Sequence, residues 1–167
     1  MSARQAVLPL VVRDDAPLGC DAIAAIAHGR AKLAIGQAAR AKLANGRAIV
    51  ERIVAKGEKA YGITTGLGAL SDVPLAPDEL AKLSRNTLLS HACGVGEPLH
   101  PAETRAIMVA LVNDMCHGHS GVGVAVVDQL VAFLNRGINP VVPSQGSVGY
   151  IVHGAHIGLA LIGIGEV

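Results

Sequence analysis

The sequence predicts a mainly α-helical chain on three observations. Apolar residues recur at helical spacing over several long stretches, proline and carboxylates open two of those stretches, and single glycines close three of them. Before the first helix, Val7, Leu8, Leu10, Val11 and Val12 are extended-type residues around Pro9, so residues 1–15 read as a short edge segment. A first helix is expected from about Cys20 to Gly29, with Ile23 and Ile26 on its apolar side. A longer one runs from Gly36 to Lys56, with Leu43, Val50 and Val54 on one stripe and Gly57 as its stop. Tyr61 to Leu70 is a loop of three glycines and two threonines, and Asp72 to Pro77 is a second loop. Pro77-Asp78-Glu79 opens a helix towards His91, and a glycine-broken stretch covers Cys93 to Pro98. Pro101 opens the next helix, which continues to about Met115. Val124 to Leu134 is a further helix stopped by Gly137, Pro140 to Gly149 is loop, and Ile151 to about Gly165 is a very apolar last segment.

The 167 residues suit one domain, read as residues 1–167, and 51% of them are hydrophobic while 16% are charged and 2% aromatic. A disordered chain is excluded, because a core of Ala, Val, Ile and Leu can offset the ordering entropy. Nucleic acid is not an expected partner: stacking needs aromatic platforms and a basic groove, and the chain offers Tyr61, Tyr150, Phe133 and a net charge of +1. No uninterrupted apolar run reaches membrane-spanning length and no cleavable leader is recognisable, so a membrane is not expected and the expected location is the cytoplasm. Cys20, Cys93 and Cys116 are an odd set without metal spacing, read as free thiols. With 20 glycines and a mean hydropathy of +0.45, the chain is expected to bury part of its surface against other chains. Ile157 to Ile164 is apolar on nearly every side, which points to an incomplete part of a larger core or to an oligomer.

Three constellations could carry chemistry. Tyr61 leads Gly-Ile-Thr-Thr-Gly-Leu-Gly, which puts a phenol on backbone that can approach a ligand closely; a phenol ordinarily titrates near 10, so to act as a base it needs nearby positive groups or dipoles. An equally good reading is a tight turn with a surface tyrosine. His91 falls where a helix should end, facing Cys93-Gly94-Val95-Gly96, although a lone histidine is more often structural. His117-Gly-His119 and His153-Gly-Ala-His156 have spacing compatible with metal ligands but lack further partners, so no metal is expected. The glycine-rich stretches match neither the phosphate-loop nor the dinucleotide pattern.

Four motifs in order carry a resemblance: Tyr61-Gly-Ile-Thr-Thr-Gly-Leu-Gly68, Arg85-Asn-Thr-Leu-Leu-Ser-His91-Ala-Cys-Gly-Val-Gly-Glu-Pro-Leu99, Gly118-His-Ser-Gly121 and Pro140-Val-Val-Pro-Ser-Gln-Gly-Ser-Val-Gly149. From about residue 20 to Val167 the chain resembles the N-terminal part of the histidine and aromatic amino-acid ammonia-lyases. The resemblance implies a long-helix lyase fold with glycine-rich active-site loops, a homotetramer, and elimination of the amino group across the α and β carbons of histidine or a related aromatic amino acid. It implies that Tyr61 is the catalytic base, that His91 lies beside the substrate side chain, and that Asn86 and the Gly66–Gly68 backbone, Gly68 included, support the substrate.

The sequence departs from the family after Gly149. The family's Ala-Ser-Gly, which cyclises to an electrophilic methylidene-imidazolone, is replaced by Tyr150-Ile-Val-His153-Gly-Ala-His156, and alignment through Ala155-His156 leaves the chain three residues short. That prosthetic group cannot form from the residues present, and no other cofactor is expected. Two alternatives follow. One is an elimination that needs no ring, on a substrate with a better nitrogen leaving group such as a quaternary amine, with Tyr150 or His153 in the ring's place. The other is a non-catalytic fragment or assembly subunit.

Overall fold

The computed structural model describes residues 8–147 and 151–167. It is built on helices, α1 (Cys20–Ala27), α2 (Gln37–Lys56), α3 (Pro77–His91), α4 (Pro101–Met115), α5 (Val124–Arg136) and α6 (Ile151–Leu161). Two small sheets accompany them: the first takes in the extended edge segment expected near the N-terminus, and the second lies where the sequence suggests loop. β1 (Leu10–Arg13) pairs in parallel with β2 (Lys32–Ile35), with Leu10 opposite Lys32 and α1 as the crossover. β3 (Val95–Pro98) pairs antiparallel with β4 (Pro143–Gln145). These strands are three or four residues long and carry glycine, proline or charge, so the alternating apolar pattern of a longer strand is absent and only partner backbone settles their conformation.

The helix boundaries have local causes. Gly57 and Gly137 take positive φ (+64° and +72°) as the left-handed caps of α2 and α5. α2 starts at a glycine because its cap comes from a distant residue. Asp14 Oδ1 accepts the backbone N–H groups of Ala38 (2.8 Å) and Ala39 (3.2 Å), and a Cβ on Gly36 would run into the Asp14 side chain. α4 is capped by His100, whose Nδ1 accepts from the Ala102 N–H, while Glu103 accepts from the His100 N–H (2.8 Å).

The core lies where α1 packs on α4, α4 on α5, and α5 on β2: Ile26, Leu33, Leu43, Met108, Val109, Val112, Val127 and Leu130 are all buried, and Ile157 of α6 joins them. Three polar side chains hold this half together. Arg105 is buried on α4 and donates to the carbonyls of Ile26 (2.7 Å), Ala27 (2.8 Å) and Leu134 (2.9 Å), so one guanidinium satisfies the open ends of α1 and α5; burial holds its pKa below the usual arginine value. Asn135 both donates to and accepts from the Leu33 backbone, acting as a strand partner for β2. Arg13 is fully buried and donates to Asn113 Oδ1 (2.8 Å) and the carbonyls of Ala16 and Asp14.

Two expectations need correcting. On α2 only the N-terminal part of the predicted stripe is core: Leu43 is buried, Val54 is exposed, and Gly46 is buried because the Gly118 carbonyl sits where its Cβ would be. The last apolar segment is shorter as a helix and less enclosed than expected. α6 ends at Leu161; Ile157 and Ala160 are buried, whereas Ile151, Ile162 and Ile164 are exposed. Packing on α3, α4 and α5 covers one side of this helix, which all-round hydrophobicity could not foretell.

Candidate active site

The site is assembled from the Tyr61 loop, the C-terminal half of α3 and the first turn of α6. The loop is held by its own threonines. Thr64 Oγ1 accepts from the Ala60 N–H (2.8 Å) and donates to the Glu58 carbonyl (2.6 Å), and buried Thr65 sits in a single bridge to Pro74. Gly62 and Gly68 take positive φ (+68° and +56°), conformations a side chain would strain, and they let the chain reverse around Tyr61. The Tyr61 side chain is consequently out of the core, at 65% exposure, and its phenol oxygen is met by the Gly68 N–H at 3.4 Å. An exposed ion pair, Lys59 to Asp72 (2.8 Å), spans the base of the loop and contributes little by itself.

α3 presents Thr87, Leu88 and His91 to the same space, since residues three and four apart share a helix face. His91 Nδ1 lies 2.8 Å from the Thr87 carbonyl and 3.0 Å from Ser90 Oγ. A carbonyl only accepts, so Nδ1 carries a proton and Nε2 is the nitrogen left to meet a ligand. α6 contributes Ile151, Gly154 and Ala155, again at helical spacing. Close packing sets the distance between the two helices: a Cβ on Gly158 would collide with Leu88.

Tyr61, Leu67, Gly68, Thr87, Leu88, His91, Ile151, Gly154 and Ala155 thus line one open cavity of about 570 Å³. Of the residues singled out from sequence, Tyr61, Gly68 and His91 come together here. Asn86 does not line it: one residue before Thr87, it is turned roughly 100° around the helix and is exposed. Tyr150 lies outside the described residues. His153 is half-buried on α6 and is not among the lining residues; its Nε2 is buried with no hydrogen-bond partner among the described residues. His156, one turn further on, accepts the Gly94 N–H at Nε2 (3.1 Å) and ties α6 to the segment after α3; burial, and secondarily the neighbouring His153, hold its pKa below the usual histidine value. Leu67 falls within the Gly66–Gly68 backbone expected at the substrate, whereas Thr87, Leu88, Ile151, Gly154 and Ala155 were not anticipated as site residues. The signal available for them was the helical spacing of Thr87 with His91 and of Ile151 with Gly154 and Ala155.

α6 begins at Ile151, immediately after Tyr150, so no Ala-Ser-Gly stands between Gly149 and the helix that lines the cavity. Among the described residues no group of three or more His, Cys, Asp and Glu could hold a metal ion, and no helix is long and apolar enough to cross a membrane.

A helical scaffold thus brings a tyrosine on a glycine-rich loop and a histidine at a helix end to one cavity. The sequence pattern of the aromatic amino acid lyases matches residues 18–167, and the chain belongs to that family. It is 42% identical over 147 residues to a histidine ammonia-lyase of Symbiobacterium thermophilum, and 48% identical over 124 residues to one of Bacillus velezensis; these alignments take in 86% and 72% of this chain but 29% and 24% of those relatives. Among solved structures it is similar to the ergothioneine-degrading enzyme of Treponema denticola, solved in complex with desmethyl-ergothioneine sulfonic acid (TM-score 0.89, 30% identity, 93% of this chain and 32% of that one). It is also similar to the histidine ammonia-lyase of Trypanosoma cruzi (TM-score 0.82, 32% identity, 90% and 29%). The chain therefore spans between about a quarter and a third of the length of these proteins.

Proposed function

We propose that this chain is the N-terminal part of a carbon–nitrogen lyase of the ammonia-lyase type. The reaction is elimination of a nitrogen substituent across the α and β carbons of histidine or a related aromatic amino acid. The observation that carries this reading is the convergence of Tyr61 and His91 on one cavity from separate elements. Tyr61 is the base: its oxygen removes the β proton, and the Gly68 N–H and the glycine turns aim it. His91 contacts the substrate ring through Nε2, with Nδ1 anchored on Thr87. Gly68 lies at the substrate, whereas Asn86 supports it from outside the cavity. Family membership and the histidine ammonia-lyase relatives support the choice of substrate class.

The test is Tyr61→Phe in the full-length protein. Positioned proton transfer contributes roughly a hundred- to ten-thousand-fold in rate, so turnover should fall by about that range while folding is retained. A loss of less than tenfold would place the base elsewhere.

We further infer that the working protein is a homo-oligomer, a tetramer by family resemblance, located in the cytoplasm. Exposed Leu10, Val12, Val95, Ile151, Ile162 and Ile164 are surface that association would cover, and Cys20 and Cys93 are exposed free thiols that suit a reducing compartment. A soluble monomer in light scattering at micromolar concentration would remove the assembly part of this reading.

A further inference from the structure

We propose that the open cavity where α1, β2, α4 and α5 meet is a second ligand site, and that it holds the phosphate dianion of a small phosphate ester. The cavity measures about 530 Å³ and shares no lining residue with the one around Tyr61. Its wall includes His28, Lys32, His100, Arg105 and Arg136, and no aspartate or glutamate. Glu103, the acid beside this wall in sequence, has its carboxylate engaged by the His100 N–H (2.8 Å).

The observation that points to an anion is the charge this wall leaves uncompensated. Arg105 is 8% exposed, and its partners are the carbonyls of Ile26, Ala27 and Leu134; among the described residues no carboxylate pairs with it. Carbonyls are dipoles, so they take up hydrogen bonds and leave the full positive charge in place. A buried charge is costly until an opposite charge meets it. Lys32 and Arg136 add two exposed cations at the same concavity, and neither stands in an ion pair among the described residues. Like charges gathered around one hollow repel each other, and a bound anion reverses the sign of that interaction.

The donors indicate which anion. His100 Nδ1 accepts from the Ala102 N–H (3.2 Å), so Nε2 carries the ring's proton and is a donor. With the Lys32 ammonium and the Arg136 guanidinium, the wall offers N–H groups of three shapes, and a ligand oxygen there needs only to accept. A phosphate monoester supplies three acceptor oxygens and a charge of about −1.5 to −2, whereas a monocarboxylate would offset one of the three full cationic charges. The volume falls in the range of small-molecule sites, roughly 300–1,000 Å³, which leaves room for an organic group beside the phosphate.

The experiment titrates the full-length protein in a calorimeter with glycerol 3-phosphate, inorganic phosphate and glycerol at one fixed low salt concentration. Glycerol 3-phosphate should bind once per chain, inorganic phosphate about tenfold more weakly, and glycerol not at all. Lys32→Ala and Arg136→Ala change exposed side chains and so keep the fold; each should weaken glycerol 3-phosphate at least about fivefold, through loss of a charge-assisted hydrogen bond. Arg52→Ala removes an exposed cation of α2 outside the cavity wall and should change the affinity by less than about twofold. Inorganic phosphate that binds as tightly as the ester, with the same dependence on Lys32 and Arg136, supports the site with free phosphate as its ligand. Absence of binding by both phosphate compounds at millimolar concentration overturns the proposal. So does binding that Lys32→Ala and Arg136→Ala leave intact, or that Arg52→Ala weakens as much as they do.

Discussion

The half of the molecule built on β1, β2, α1, α4 and α5 and the half built on the Tyr61 loop, α3 and the start of α6 handle polar groups in opposite ways. In the first, polar side chains are consumed inside the fold: buried Arg105 donates to three backbone carbonyls, buried Arg13 to Asn113 and two carbonyls, and half-buried Asn135 pairs with the Leu33 backbone. In the second, the polar groups that hold the loop are spent on backbone, while Tyr61 and one nitrogen of His91 are left over. Thr64 and the positive-φ glycines fix the loop, so Tyr61 stands exposed with one long hydrogen bond. The difference teaches where rigidity and reactivity are placed. A side chain whose hydrogen-bonding capacity is satisfied inside the protein stabilises the fold and has no hydrogen bond to offer a ligand; the reverse holds in the Tyr61 cavity.

If that contrast is sound, Arg105→Met has the largest effect on folding. The Ile26 and Leu134 carbonyls keep the Gly29 and Gly137 N–H groups, but the Ala27 carbonyl loses its donor; leaving one buried acceptor unpaired costs about 1–3 kcal/mol, and a loss of about that size is expected in urea unfolding, with the residues of the Tyr61 cavity untouched. Tyr61→Phe should do the opposite, changing turnover and leaving the unfolding midpoint nearly where it was. A midpoint that moves as far for Tyr61 as for Arg105 would erase the distinction between the halves.

His91 sharpens the contrast, because it belongs to the cavity yet is anchored on Thr87. Its replacement by Leu should shift preference from imidazole towards apolar aromatic substrates. The loss on imidazole compounds should be about 1–3 kcal/mol of binding, read as a ratio of kcat/KM values. An unchanged substrate profile would assign His91 to the scaffold.

The smallest effect lies at the seam, in His156. Its folded-state pKa is depressed, because burial penalises the imidazolium and a protonated Nε2 could not accept the Gly94 N–H. The unfolded chain therefore binds more protons than the folded one just below pH 6.5. The stability this residue contributes is complete above about pH 6.5 and is lost as pH falls towards the lowered folded value. His156→Gln should flatten that acid-side slope below about pH 6.5 in thermal unfolding, with little change at pH 8. An unchanged slope would show that another group carries the acid sensitivity.

Much of this was legible in the residues. Pro101 with Glu103 marks the start of α4, and Gly57 and Gly137 mark the ends of α2 and α5 to within a residue or two. These are local effects, settled by the dihedral range and hydrogen-bonding needs of one or two residues. The motifs around Tyr61 and His91 were legible as well, since loops that must approach a ligand carry glycine in recognisable clusters. β1 falls in the extended segment around Pro9, but β3 and β4 were not legible, because four residues such as Val95-Gly-Glu-Pro98 have no strand pattern of their own and become extended only against Pro143–Gln145. Nor was the side of α6 that is covered: its sequence is apolar all round, and α3, α4 and α5 decided which residues are buried. Asn86 and Thr87 make the same point at the site. Either could serve a substrate by chemistry, and the rotation of α3 about its axis put Thr87 in the cavity and Asn86 outside it. Local conformational preference belongs to the chain residue by residue; which face meets which depends on contacts between residues far apart, and these exist only once the helices have packed.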